Sequence, residues 1–388
     1  MAALRDAKDL WLILLAAYAC VFIGPFGGNM IISMFPVLEH WFNVDVAIMS
    51  LTITFFMIPY SVTHIFGGSL SDAYGRSRVM SLGLAIYGLG SFIAAFSPTI
   101  EVLLISRVIQ GVGGAMLAPT AMALLGDIIH PKDLGKAMGG YSMAVTAGIA
   151  TGPLIGGVLA SINWTYAFIL LGALSLALMT LTMKVRGKKS SDRNLKTAWI
   201  GFLKALRNLV IFLAGIIGFI TFVIRIGIYT YAADALGKPP YQLSTDYIGF
   251  LLSLAGFAGL AAGLLAGYLT DRLGRIPTAF IGTCFLFLTL IMLALPIWPS
   301  LMPFIMLSLG FGGTMLFTPL GTITVERLPQ ARGAAASVYG FLRFAGYALG
   351  PIILLAPYTL FGVEGVALSC IVLIVVSLLA LLIIRRNL

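Results

Sequence analysis

Arg107, Arg225 and Arg343 each stand inside a long apolar stretch, and no Asp or Glu lies near the middle of any such stretch to neutralise them. A guanidinium held in hydrocarbon costs about 2.5–3.5 kcal/mol on insertion scales, so each requires hydrogen-bonding partners or a water-filled cavity. The chemistry open to such a group is recognition of a carboxylate or phosphate, or stacking on an aromatic face. Helical spacing supplies the rings. Tyr339 and Tyr347 fall one turn either side of Arg343, and Tyr229 falls one turn beyond Arg225. The competing reading ties each guanidinium to helix carbonyls and a distant helix-end acid, as a purely structural clamp. The closest acids, Asp127, Asp234 and Glu326, all sit at the ends of stretches. His64 lies inside an apolar stretch, where it either titrates during a cycle or bonds between helices.

The elements that position these groups follow from composition. Of the 388 residues 60% are apolar and 10% charged, too little polar surface to cover a soluble globule. The apolar stretches are long and continuous rather than alternating, which specifies membrane-crossing helices and not a barrel. They run over 10–37, 46–71, 79–96, 102–127, 134–160 and 164–184, then over 209–231, 247–270, 277–295, 301–325, 334–356 and 366–384. With twelve crossings both termini share one side. Apart from the three buried arginines and Lys238, every one of the 24 Lys and Arg falls on that side, which marks it as cytoplasmic. The net charge of +10 is thereby explained by topology, and a nucleic-acid partner is excluded. Membrane lipids are the expected partner of the basic segment between the halves. Cys20, Cys284 and Cys370 are odd in number and lie in apolar stretches, so they supply neither a disulfide framework nor a metal site. No phosphate-binding loop, metal cluster or Ser/His/Asp grouping is present, and three histidines equip the chain poorly for acid–base catalysis. Neither a cofactor nor an enzymatic activity is expected.

The second set of stretches repeats the first at an offset of about 200 residues. Gly68, Leu70, Asp72, Gly75 and Arg76 return as Gly267, Leu269, Asp271, Gly274 and Arg275. Gly111, Gly113, Gly114, Met116 and Leu117, with Asp127 downstream, return as Gly310, Gly312, Gly313, Met315 and Leu316, with Glu326 downstream. Tyr141 and Gly152-Pro153 correspond to Tyr339 and Gly350-Pro351. The repeat divides the chain into a six-helix bundle over 1–185, a basic linker over 186–207 and a second six-helix bundle over 208–388. Each Gly-Arg turn aims a guanidinium back at acids, so Arg76 is expected to pair with Asp127 and Arg275 with Glu326.

These motifs resemble those of the major facilitator superfamily, and within it the twelve-span drug/proton antiporter branch, over essentially the whole chain. Residues 67–78 are similar to the family's loop between the second and third spans. Arg107-x-x-Gln110-Gly111 resembles its fourth-span motif, whose arginine is associated with proton coupling. Gly148, Gly152-Pro153 and Gly156-Gly157 resemble the fifth-span motif that marks exporters working by antiport. The glycines there make a smooth flank against a neighbour and Pro153 removes a backbone bond, so the helix can pivot or seal. The resemblance implies an all-α fold of twelve helices in two pseudo-symmetric halves, with a substrate site between them. Gly68, Asp72, Gly75, Arg76, Gly148, Gly152, Pro153, Gly156, Gly267, Asp271, Gly274 and Arg275 become gating residues on this reading.

Two functions follow as expectations. The first is alternating-access export of a small organic solute by a monomer of the cell membrane, in exchange for protons. Its coupling candidates are Arg107, Asp127, Asp234, Glu326 and His64. The second is an organic-anion carrier or exchanger, favoured by the absence of acids within the spans. Asn29, Arg107, Gln110, Arg225, Tyr229, Tyr339, Arg343 and Tyr347 are the candidate substrate ligands for either. A lipid flippase or a membrane sensor stands behind both.

Overall fold

The computed structural model describes residues 7–130, 133–185 and 195–388, and apart from two short 3₁₀ turns their secondary structure is α-helical throughout. Lipid supplies no partner for backbone N–H and C=O groups, so apolar stretches of this length close their hydrogen bonds internally. The helices are α1 (Ala7–Met30), α2 (Phe35–Phe42), α3 (Val46–Tyr74), α4 (Arg76–Ala95), α5 (Ile100–Ile128), α6 (Leu134–Lys184), α7 (Leu195–Leu206), α8 (Leu209–Gly237), α9 (Thr245–Arg272), α10 (Arg275–Leu293), α11 (Trp298–Arg327) and α12 (Arg332–Asn387).

Two of these each hold two crossings, joined at a residue whose backbone is not helical. In α6 the chain turns at Asn163, whose backbone is extended (φ −159°, ψ 121°). Its Oδ1 accepts from Thr165 N at 3.0 Å and Thr165 Oγ1 at 2.9 Å, which starts the next span. In α12 the turn is Gly362, at a left-handed φ of 62° that only glycine adopts cheaply. Twelve crossings result, as the sequence implies. The first differs in detail. The stretch over 10–37 is not one helix, because α1 ends at Met30, a 3₁₀ turn covers Ile31–Met34, and α2 restarts with Pro36 in its first turn. The segment expected as a linker carries α7, with Phe202 buried and Trp199 stacked on Phe66 at 6.0 Å; its residues 186–194 lie outside the described ones.

Packing repeats with the sequence. α1 lies on α6 as α8 lies on α12, and α4 on α5 as α10 on α11. The closest contacts are made by the glycine stripe. Cβ atoms placed on Gly148, Gly152 and Gly156 would stand 2.4, 2.5 and 2.3 Å from the carbonyl oxygens of Phe22, Phe26 and Met30, so α6 rests directly on the backbone of α1. Its counterpart in the second half, Gly346, sits 2.2 Å by the same measure from Phe219 O on α8. The Pro153 carbonyl accepts Ser33 Oγ at 2.8 Å, and the equivalent Pro351 carbonyl accepts the Tyr231 hydroxyl.

The halves meet along two seams, α6 on α9 and α3 on α12. In the first, Gly157 backs onto Thr245 O (2.2 Å to an added Cβ), Gly249 onto Pro153 O (2.3 Å) and Gly256 onto Ala150 Cα (2.2 Å). In the second, Thr54 Oγ1 donates to Ala348 O at 2.7 Å. Adjacent glycines on α6 thus serve different partners, Gly156 its own half and Gly157 the other.

Candidate functional site

A cavity of about 1010 Å³ lies between the halves and opens on the face that holds α7, the start of α1 and the end of α12, the terminal face. Asp72, Arg76, Gly201 and Arg332 frame its mouth, while His64, Tyr141, Phe317, Tyr339 and Arg343 line its depth. The opposite, distal face is where Gly157 and Gly249 hold α6 against α9.

Arg343 is the centre of the deep end. Its guanidinium faces the rings of Phe317 and Phe344 at 4.6 Å, Phe222 at 5.1 Å and Tyr339 at 5.8 Å. Rings present their negative faces to the cation, which lowers the cost of holding it away from water. Its Nε is buried without a hydrogen-bond partner. Beside it, His64 stacks on Tyr60 at 6.1 Å and meets Phe344 edge-on at 5.3 Å, and its Nδ1 is also buried and unpartnered. Gly340 packs beside the imidazole, where an added Cβ would stand at ordinary contact distance, 3.5 Å.

The other candidates are placed differently. Tyr339 stands against Arg343 as spacing implied, but Tyr347 does not, because the Phe222 ring lies 5.8 Å from it and comes between. Tyr347 instead donates to Asn29 Oδ1 at 2.9 Å across the halves, and Asn29 Nδ2 donates to Pro25 O at 2.7 Å. Arg225 lies over the Tyr229 ring at 5.2 Å and donates to its hydroxyl at 3.3 Å, which in turn donates to Leu252 O at 3.0 Å. Arg107 is wholly buried and withdrawn from the cavity. It donates to Thr52 O at 3.2 Å and to Gln110 Oε1, and lies 4.4 Å over Phe56, so it clamps α5 to α3. Gln110 continues to Ser91 Oγ at 2.8 Å. Spacing within one helix found Tyr229 and Tyr339; Phe222 and Phe317 come from α8 and α11, and nothing in the sequence aligned them with Arg343.

At the terminal face Arg76 Nε donates to Asp127 Oδ2 at 2.9 Å and also bonds Asp72 and Ser71. Arg275 Nε donates to Glu326 Oε2 at 2.7 Å, with a second bond to Oε1. Gly75 and Gly274 turn both chains at the same φ of 95°. The repeat keeps the Arg–acid pair and differs around it: the Arg76 and Asp127 side chains are 6% and 36% exposed, with Asp72 added as a second acid at 9%, whereas those of Arg275 and Glu326 are 41% and 49% exposed. Breaking a buried pair costs about 3–5 kcal/mol, whereas an exposed pair contributes about 0–1 kcal/mol. Asp72→Asn is therefore expected to lower the thermal midpoint in detergent by several degrees, and Glu326→Gln to leave it within about one or two degrees. A larger loss from Glu326→Gln reverses that order.

Asp234 lies at the distal end of α8, bonded to Lys238 and to the Tyr358 hydroxyl. Burial alone pulls the Lys238 ammonium down, but its hydrogen bonds to Asp234 and Glu39 and their charges outweigh this and hold its pKa above the ordinary lysine value.

Comparison with known proteins agrees with this architecture. The chain matches the Major Facilitator Superfamily over residues 17–351 and again over 211–387. It is 27% identical to the bacillibactin exporter of Bacillus subtilis (strain 168) over 343 residues, 84% of each chain, and 26% identical over 285 residues to multidrug resistance protein 2 of the same organism, 70% of each. Among solved structures, it superposes on a bacterial homologue of the human lysosomal transporter Spinster in an inward-facing, unoccupied conformation with a TM-score of 0.74, at 17% identity and 98% coverage of both chains. The nucleoside transporter NupG gives a TM-score of 0.77 at 15% identity, covering 97% of this chain and 99% of that one. Repeated halves, twelve crossings and the extended profile match converge: the chain belongs to the Major Facilitator Superfamily, as an integral multi-pass membrane transporter and not an enzyme.

Proposed function

We propose that the protein exports a small organic solute by alternating access, in exchange for protons, from a cell membrane in which the terminal face is cytoplasmic. The observation that carries this reading is the cavity between the halves, open on the terminal face and closed on the distal face by glycine-to-backbone contacts. A solute entering from the terminal side reaches Arg343 and His64. Tilting of the bundles 1–185 and 208–388, joined by 186–207, then parts Gly157 from Thr245 and Gly249 from Pro153 and closes the mouth. The Lys and Arg asymmetry supports the orientation, and the names of two relatives, an exporter and a multidrug resistance protein, support the direction. One chain supplies both halves, so a monomer suffices.

In vesicles reconstituted with the protein, a transported solute added against a trapped pH dye is expected to change the lumenal pH, and an imposed pH gradient to alter solute flux. Flux indifferent to the gradient removes proton exchange.

A second reading concerns what is carried. The unpartnered Arg343 Nε inside its ring of aromatics favours an anionic, aromatic or amphipathic solute, whose charge would take up the vacant donor and whose rings would meet Phe317 and Phe344. The same site would serve an anion exchanger, distinguished from the export reading by flux that follows a counter-anion instead of protons.

A further inference from the structure

The distal face joins the halves through a cluster that holds more acid than base. Lys238 Nζ lies 2.9 Å from Glu39 Oε2 and also bonds Asp234 Oδ1, so one ammonium serves two carboxylates. Glu39 belongs to α2 in the first half and Asp234 to α8 in the second. Their side chains are 6% and 2% exposed. Glu39 Oε1 is buried with no hydrogen-bond partner, while Glu39 Oε2 and Asp234 Oδ1 converge on the same Lys238 ammonium. The second Asp234 oxygen is occupied by the Tyr358 hydroxyl, whose ring stacks on Tyr231 at 4.4 Å. Two largely buried carboxylates that share a single ammonium are not both favoured as anions, and one proton between them supplies the donor that Glu39 Oε1 lacks.

We propose that Glu39 and Asp234 form a proton-binding site which, with Lys238, locks the two halves together on the distal face and gives up its proton when the halves part. With the proton in place the set is neutral: two carboxyl groups, one ammonium, one shared proton. Without it, a net negative charge is left against the Tyr231–Tyr358 pair. On parting, Lys238 and Asp234 stay together as neighbours one turn apart, while Glu39 leaves with α2. Its proton passes to water as the carboxyl is hydrated and regains ordinary acidity. Proton affinity is therefore higher in the closed state. Acid favours closure of the distal face, and this contribution is lost as pH rises through the closed-state value.

The other titratable groups nearby are Tyr231 and Tyr358, the exposed His40 next to Glu39 on α2, and Asp45, Tyr241 and Glu364, which line a shallow vestibule of about 620 Å³ beside Asp234 and Lys238. Of these His40 is the imidazole adjacent to Glu39 in sequence, and its substitution separates its contribution from that of Glu39. The lock rests on the alternating-access reading, in which the halves part on the distal face, but not on what the central cavity carries, so a solute flux indifferent to pH gradients leaves it standing while a distal face that ignores pH removes it.

Spin labels placed at Ile162 and Phe361, exposed beside the distal turns of α6 and α12, report the separation of the halves once Cys20, Cys284 and Cys370 are replaced by alanine. Electron–electron distance distributions of the purified full chain between about pH 5 and about pH 8 are expected to gain a longer-distance population as pH rises, changing the closed-to-open ratio by at least about tenfold. Glu39→Gln, a neutral stand-in for the protonated acid, is expected to stay at the short distance across the range. Asp234→Asn removes the pH response too and serves if Glu39→Gln fails to fold. His40→Gln keeps the native response. The proposal is overturned by a native distribution that ignores pH, by Glu39→Gln responding as the native chain does, or by loss of the response in His40→Gln alone.

Discussion

Gly249→Leu is expected to hold the distal face open while leaving each half folded. A Cβ at this position would stand 2.3 Å from the Pro153 carbonyl oxygen, where about 3.3 Å is the closest comfortable carbon–oxygen approach. The whole leucine demands more, and the obstruction is backbone, which has no rotamer to give. α9 and α6 belong to different halves, so tilting one bundle away from the other relieves the clash without disturbing either core. A cysteine at Thr245, 5% exposed at that seam, is expected to be inert to a maleimide in the Cys284→Ser background and to react rapidly once Gly249→Leu is added. Failure to react in a folded protein removes the seam from the gating path. Gly152→Leu provides the contrast. Its clash with Phe26 O is of equal size, 2.5 Å from the added Cβ, but α1 and α6 share one half and cannot part. Overpacking of about 1–3 kcal/mol or more then falls on the fold itself, and the expected result is a lowered thermal midpoint with no gain in labelling.

Arg343→Gln is expected to weaken an anionic aromatic ligand by about ten- to a hundredfold. A hydrogen bond to a charged group contributes about 1.5–3 kcal/mol, and each 1.4 kcal/mol is about a factor of ten in affinity. A neutral ligand of the same ring size is expected to lose far less, because Phe222, Phe317 and Phe344 remain in place. The measurement is thermal-shift titration of the purified protein against matched anionic and neutral panels. Arg107→Gln is the control. Arg107 is bonded to Thr52 and Gln110 away from the cavity, so its loss is expected to act on stability and to treat both panels alike. Equal losses for both panels in Arg343→Gln eliminate anion recognition at this site.

Much of this architecture was legible before any coordinates. A membrane-crossing stretch closes its backbone bonds on itself, so long apolar runs report helices directly, and the breaks near Asn163 and Gly362 fall where polar or turn-forming residues interrupt them. The internal repeat, at an offset of about 200 residues, then pointed to a two-half organisation. It also determined the Arg76–Asp127 and Arg275–Glu326 pairs, since a Gly-Arg turn at a fixed offset from an acid recurs in both halves. Contacts one turn apart on a single helix, Arg225 with Tyr229 and Arg343 with Tyr339, were equally available to a reading of spacing.

Contacts between helices were not. Which of three buried arginines reaches the cavity depends on how each helix is rotated about its axis, and the hydrophobic pattern of a lipid-embedded helix is too uniform to report that rotation. Arg107 turns inward to Phe56 and Gln110, Arg343 into the cavity, and Tyr347 toward Asn29 on the other half. The different exposure of the two latch arginines, 6% for Arg76 and 41% for Arg275, likewise follows from the surrounding packing, not from their shared motif. The distal cluster makes the same point most sharply. Glu39 and Lys238 look like ordinary loop charges, and only the packing of α2 against α8 brings the buried Glu39 and Asp234 onto the half-exposed Lys238 ammonium. Residue types and their spacing sufficed for the fold, its halves and its single-helix pairs, because those rest on local hydrogen bonding and periodicity. The cavity, its arginine and the bonds between halves were decided by tertiary packing, because they depend on distances between segments that spacing along the chain does not encode.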